Sequence, residues 1–303
     1  MKRSIVKQGA ATLMVSLPSK WTKKYHLNKG DEVDIVEKGR DLLITSEVVP
    51  EIRKATINIS ELKDIWRRVI SALYKAGYDE IKINFSKPED ISKIYSVLHE
   101  FVGFEIISQT EKGCTIKEIV EAKETNFNSI TSRTFNMLLS IAEDCSNALK
   151  NKNIEILGTI PERDLIINKY ANFCRRIINK GLVNQNDAPM LYYIIEGLES
   201  IGDIYKDFAR YSFEAKTMPD KKIIEIFERV NMLLNDFQII FSNFDREKIV
   251  DLGSRILKTI KEINEMFKTK SVSESRMLNY ISEILQTIQN LVGPLLILNS
   301  EKL

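Results

Sequence analysis

The sequence predicts a multidomain α+β protein. It reads as a small β-rich module over residues 1–50, a small α/β spacer over 51–122, and an all-α bundle of six helices, in two threes, over 123–303. Three observations carry this reading. Hydrophobic periodicity changes along the chain, from short β-branched runs to a stepping by threes and fours in the last segment. Charge is sorted, because the first thirty residues hold seven Lys/Arg and no Asp or Glu, while the whole chain has 44 basic and 42 acidic side chains. Finally, 303 residues exceed what one hydrophobic core usually holds.

Composition narrows the function classes. With only 7 Pro and 12 Gly, few long loops are expected. No stretch approaches the ~18 uninterrupted apolar residues of a membrane span. The start, Met1-Lys-Arg-Ser-Ile-Val-Lys, lacks the apolar run of a signal peptide, so a cytoplasmic protein is expected. Cys114, Cys145 and Cys174 are odd in number and widely spaced, which fits reduced thiols in apolar runs better than a disulfide framework or zinc site. His26 and His99, the two histidines, have no Cys or acid at ligand spacing. Neither a nucleophile–base pair nor a Gly-rich nucleotide loop is present, and the chain is not read as an enzyme.

In the first module, Ser4-Ile-Val-Lys and Thr12-Leu-Met-Val-Ser-Leu read as strands bounded by Gly9 and Pro18. Pro18-Ser-Lys-Trp-Thr-Lys-Lys-Tyr suits one or two helical turns. Glu32-Val-Asp-Ile-Val-Glu alternates, and Lys38-Gly39-Arg40-Asp41 turns the chain into Leu42-Leu-Ile-Thr. The order is β-β-α-β-β. A unit of ~50 residues with no Cys or metal cluster cannot bury a core alone, so a homodimer is expected. Its cations point to a polyanion partner, DNA first. Lys2, Arg3, Lys7, Lys20, Lys23 and Lys24 are the candidate contacts. Arg3 is the candidate for a base edge, because a guanidinium can pair bidentately with guanine whereas lysine offers a point charge.

These residues also carry a resemblance. Val15-Ser-Leu-Pro-Ser-Lys-Trp, then Leu27-Asn-Lys-Gly-Asp-Glu-Val and Leu42-Leu-Ile, resemble the AbrB/MazE/SpoVT swapped-hairpin family in order over about 45 residues. The resemblance implies an interlaced homodimeric β-barrel that binds DNA through basic side chains.

The spacer reads βαβαββ. Ala55-Thr-Ile-Asn-Ile is a strand, Ser60 the N-cap of a helix to about Lys75, and Gly77 its stop. Glu80–Phe85 alternates, Pro88 opens a second helix, and two strands flank Glu111-Lys-Gly113. In the last segment Ile223, Phe227, Val230, Leu234, Phe237, Phe241 and Phe244 form one seam, and Met277, Ile281, Ile284, Ile288, Leu291, Leu295 and Leu298 another. Helices are expected at about 127–150, 161–180, 186–214, 219–243, 245–268 and 272–299.

Glu196-Gly-Leu-Glu199-Ser-Ile-Gly-Asp203 and the preceding Asp164-Leu-Ile-Ile-Asn168 resemble the motifs of the PhoU family of phosphate-signalling bundles. That resemblance implies metal-ion clusters on the bundle, with Asp164, Glu196, Glu199 and Asp203 as ligands of a divalent or ferric ion. Asn168 stands where the family has an acid, and the second half keeps only Glu283, with Thr287 and Asn290. An alternative reading stays open. The three acids lie opposite the stripe Leu191–Ile194–Leu198–Ile201–Tyr205–Phe208, and Lys206 and Arg210 could pair with Asp203 and Asp207 as ordinary helix ion pairs.

The whole order resembles archaeal PhoU-domain regulators with an N-terminal SpoVT-AbrB module. It implies a transcription regulator of phosphate uptake. The rival is an adaptor docking on a phosphate transporter ATPase or sensor protein, with the barrel only dimerising; an antitoxin-like role and a phosphatase rank below it.

Overall fold

A computed structural model describes residues 2–9, 11–46, 52–215 and 218–303, without the side chains of Lys38 and Glu124. The expected boundary at residues 50 and 51 and the terminal Met1 lie outside the described residues. The chain divides into two compact units, Met1–Ile52 and Arg53–Leu303.

The first unit follows the expected β-β-α-β-β order. β1 (Val6–Gln8) pairs antiparallel with β2 (Thr12–Met14) across Gly9, whose φ of 70° closes the turn. The short α1 (Ser19–Lys24) starts after Pro18. β3 (Asp34–Lys38) and β4 (Asp41–Thr45) form a second hairpin, with Ile35 opposite Ile44 and Val36 opposite Leu43. The hairpins remain separate two-stranded sheets, and no barrel closes among the described residues of one chain. The barrel implied by the sequence resemblance is a dimeric one, and the described residues of one chain do not close it, because each two-stranded ribbon leaves its edges and faces uncovered. No described residue before Arg53 is buried. Leu13 is 67% exposed and Leu42 63%, and Ile5, Val6, Ile35, Val36 and Leu43 are exposed as well.

The second unit begins with the expected βαβαββ order. β5 (Lys54–Asn58), α2 (Trp66–Lys75), β6 (Glu80–Asn84), α3 (Ile91–Leu98), β7 (Phe104–Thr110) and β8 (Gly113–Glu118) build one sheet of order β5-β6-β8-β7. β5 and β6 run parallel, as a βα-crossover requires, and the other pairs are antiparallel. Ser60 does not cap α2. Its hydroxyl accepts the Ser86 amide at 2.9 Å, Lys63 adopts a φ of 45°, and the helix begins only at Trp66. The side-chain oxygen is spent on the neighbouring chain segment, so the first turns stay 3-10.

Six helices follow: α4 (Glu124–Lys150), α5 (Ile160–Asn179), α6 (Ala188–Ala215), α7 (Lys221–Ser242), α8 (Arg246–Met266) and α9 (Val272–Leu298). Their starts carry the expected signals. Pro161 opens α5, Asp220 and Asp245 cap α7 and α8, and Ser271 with Glu274 forms a capping box on α9. α4, α5 and α6 pack on one another, as do α7, α8 and α9; α6 on α9 and α4 on α7 join the two threes. Both predicted seams are buried, apart from the half-buried Phe241, Phe244 and Leu298. By length and composition α9 could cross a membrane. Here it is a bundle helix, with Met277, Ile281, Ile284, Ile288 and Leu291 buried and α6, α7 and α8 as neighbours.

The sheet and the bundle are fastened by one buried cation. Arg176 of α5 is 0% exposed. Its guanidinium donates to the carbonyls of Tyr74 (2.9 Å) and Tyr78 (2.7 Å), and to Asp79 (2.9 Å) and Glu118 (2.9 and 3.3 Å). It lies over the rings of Tyr74 and Phe104. Lys180 joins the same two carboxylates at 2.8 Å. Burial opposes the Asp79 charge, but hydrogen bonds from Lys180 and the Arg53 backbone hold its carboxyl below the usual range. A depressed folded-state pKa contributes stability above the ordinary carboxylate pKa, and that stability is lost as pH falls through the depressed value.

Arg176→Met strands two carboxylates beside Lys180 alone. It is expected to cost about 3–5 kcal/mol in urea unfolding, the scale of removing one partner from a buried pair. Lys180→Met should cost less, since the lysine is partly exposed.

Candidate functional site

Two groups of predicted residues are placed very differently. Lys2, Arg3, Lys7, Lys20, Lys23 and Lys24 are all exposed. Arg3 donates to the Ser16 hydroxyl at 3.4 Å, which ties the start of the chain to the end of the β2 segment. Lys20, Lys23 and Lys24 ride on α1, and Lys24 lies 5.3 Å from the Tyr25 ring centroid. Trp21 stacks obliquely on Tyr25 at 5.7 Å and is half-buried; no closed barrel surrounds it among the described residues.

The second group lies along the antiparallel pair α5–α6. Gly202 sets their approach: a Cβ there would come within 3.1 Å of Asp164 Oδ1 and of Ile167 Cδ1. With that clearance Asp164 is buried against α6, and the Lys206 ammonium reaches Asp164 Oδ2 at 2.8 Å while also pairing with Asp203. Asn168 donates to the same Asp164 oxygen at 3.1 Å. One turn-pair further along, Arg175 is 1% exposed and takes Glu196 and Glu199, each at 2.6 Å. Its third polar contact is the Asn172 amide oxygen at 3.1 Å.

The charges are adjusted to one another. Burial raises the pKa of Asp164, with Asp203 and Glu199 adding to the rise and Lys206 offsetting it only in part. Burial opposes the Lys206 charge, yet the hydrogen bonds to Asp164 and Asp203 carry its pKa above the ordinary lysine value.

The four acids expected to share a metal are thus divided between two side-chain cations. Lys206 takes Asp164 and Asp203; Arg175 takes Glu196 and Glu199. Asp164 Oδ1 and Asn168 Oδ1 are buried without a hydrogen bond. However, only the first belongs to an acid, and among the described residues no group of three His, Cys, Asp or Glu is placed to hold a metal ion. The residues present do not fit the metal cluster that the sequence resemblance implies. The ion pairs Lys206–Asp203 and Arg210–Asp207 of the alternative reading are both formed.

Sequence reasoning missed Arg175 and Arg176. A signal existed: Arg175 stands four residues after Ala171 and eight after Ile167, within the apolar stripe of α5. The cysteines are buried, as expected. Burial pushes the Cys114 thiol to about 11 and the Cys174 thiol to about 12, so neither offers a thiolate near neutral pH.

The second unit is thus an α/β piece buttressing a six-helix bundle, with the acids of the α5–α6 face paired to Arg175 and Lys206. No family model matches the chain, and no curated protein matches it. Among solved structures the chain is similar to the phosphate transport system regulatory protein PhoU from Streptococcus pneumoniae. That likeness has 15% identity and a TM-score of 0.49, and covers 59% of this chain and 95% of that one. A likeness of this degree transfers no function.

Lys206→Met leaves Asp164 buried without its counter-cation. The variant is expected to gain stability as pH falls from neutral to mildly acid, because a carboxyl with a raised folded-state pKa takes up its proton on the folded side. Thermal unfolding at the two pH values checks this. The unsubstituted chain, with Lys206 in place, should gain less.

Proposed function

We propose that this chain is a homodimeric, DNA-binding regulator tied to phosphate uptake, acting in the cytoplasm. The observation that carries the reading is the N-terminal unit. It combines seven exposed cations, in a stretch without acids up to Gly30, with apolar strand faces left open to solvent. A second copy covering those faces would supply the core that one unit lacks, and would gather two sets of cations against a polyanion. The link to phosphate rests on the motif resemblance at Asp164–Asn168 and Glu196–Asp203. In this reading the bundle acts as a sensing or docking body.

A second reading has its own support. Met232 and Ile239 on α7, and Val250 and Leu257 on α8, are exposed apolar side chains spaced by seven. They favour a protein contact on the bundle, such as a component of a phosphate transporter.

Two experiments test the proposal. Binding of the full chain to its own upstream DNA, against a scrambled control, is measured over a range of salt. In the Lys20→Ala/Lys23→Ala/Lys24→Ala variant the slope of log K against log salt should become shallower by about 0.9 for each phosphate that is no longer neutralised. An unchanged slope removes α1 from the interface, and sequence-blind binding favours the docking reading. Independently, Leu43→Lys should turn a dimer into a monomer in analytical ultracentrifugation, and a persistent dimer would place association elsewhere.

A further inference from the structure

The face of α2 turned toward the bundle is basic. Arg68, Ser71 and Lys75 follow at spacings of three and four, which aligns them on one side of the helix, with Arg67 adjacent. They form one wall of a cleft of ≈ 440 Å³ whose remaining lining includes Asn168 and Asn172 of α5 and Glu199 of α6. Every lining side chain is polar.

The carboxylates of this cleft are already paired to other cations. Glu100, the other acid in the lining, pairs with Arg67, and Glu199 is held by Arg175 at 2.6 Å. Arg68 and Lys75 have no acid within ion-pairing distance among the described residues. Two cations and a hydroxyl thus face two side-chain amides with their charge uncompensated. A fork-shaped guanidinium beside a point charge and a short hydroxyl donor is the chemistry that holds a phosphate group. The volume decides the size class: it falls in the ~300–1,000 Å³ range of small-molecule sites and exceeds the need of a bare tetrahedral anion.

We propose that this cleft binds a small phosphate ester of up to nucleotide size. Its phosphate is held by Arg68, Lys75 and Ser71, and its polar remainder by Asn168 and Asn172. The two walls belong to the α/β piece and to the bundle, so an occupant bridges the same two parts that Arg176 joins and stabilises their packing by mass action. This goes beyond the regulatory reading by giving the second unit a signal to read. Binding is measured without DNA or partner protein, so its failure and the failure of that reading are separate results.

The test is isothermal titration calorimetry of the full chain with ADP and, separately, with inorganic phosphate. ADP binding should weaken at least about tenfold in Arg68→Ala/Lys75→Ala, since two charge-assisted hydrogen bonds are removed. It should be unchanged in Lys221→Ala, an exposed lysine outside the cleft, and in the Lys20/Lys23/Lys24 triple-alanine variant, which excludes the N-terminal cations as the binding site. Arg68→Lys should lose less affinity than Arg68→Gln, since it keeps the charge but not the guanidinium fork. If the double variant does not fold, Arg68→Gln alone carries the comparison. Binding of inorganic phosphate but not ADP would reject the ester. No binding of either at millimolar concentration, or binding indifferent to Arg68 and Lys75, would overturn the site.

Discussion

A guanidinium with no access to water must find all its hydrogen-bond partners inside the protein, and Arg176 finds them on the far side of a domain seam. Its partners come from the end of α2, the loop before β6 and the end of β8. The cost of leaving any of them unpaired in a low-dielectric interior ties these segments to one place on α5. Asp79 is the hub of the arrangement. It takes Arg176 and Lys180 through its carboxylate, the Arg53 amide through the same group, and the Glu118 amide through its carbonyl. The sheet's entry strand, its second strand and its last strand therefore meet at one charged knot, and Asn179 adds a bond to the Lys75 carbonyl.

That knot has a consequence for the rest of the second unit. It holds α2 beside α5 and so creates the cleft in which α2 presents its basic face. Further along α5 the same logic is repeated inside the bundle, where Arg175 and Lys206 meet four carboxylates from α5 and α6. Internal cations stand where the PhoU resemblance places metal ions. Each acid is paired within the chain, two carboxylates to each cation, and these pairs help to set the orientation of α6 against α5.

The N-terminal unit obeys the opposite rule. None of its described residues is buried, so little internal packing opposes the conformational entropy of its hairpins. In the proposed dimer a second copy would supply that packing, and the unit's stability would then depend on concentration.

Much of this was legible in the chain. The strand and helix order of every segment follows from local signals: period-two alternation in Glu80–Asn84, period 3.6 in α7 and α9, and the Asp220, Asp245 and Ser271 caps. These depend on near neighbours, which sequence displays. The ion pairs Lys206–Asp203 and Arg210–Asp207 were equally local, at three residues apart. The start of α2 was not legible, because the fate of the Ser60 hydroxyl depends on Ser86, which is distant in the chain. The roles of Arg175 and Arg176 were likewise decided by tertiary structure. Two adjacent arginines on a helix look alike in sequence, but one meets acids from α6 and the other meets a carboxylate pair from the sheet. Nor could the spacing of Asp164, Glu196, Glu199 and Asp203 say which cation they share, since Lys206 and Arg175 reach them only once α5 and α6 pack closely at Gly202. Periodicity and capping act over a few residues and are written in the sequence. The pairing of buried charges acts across the fold and exists only when distant segments have been brought together.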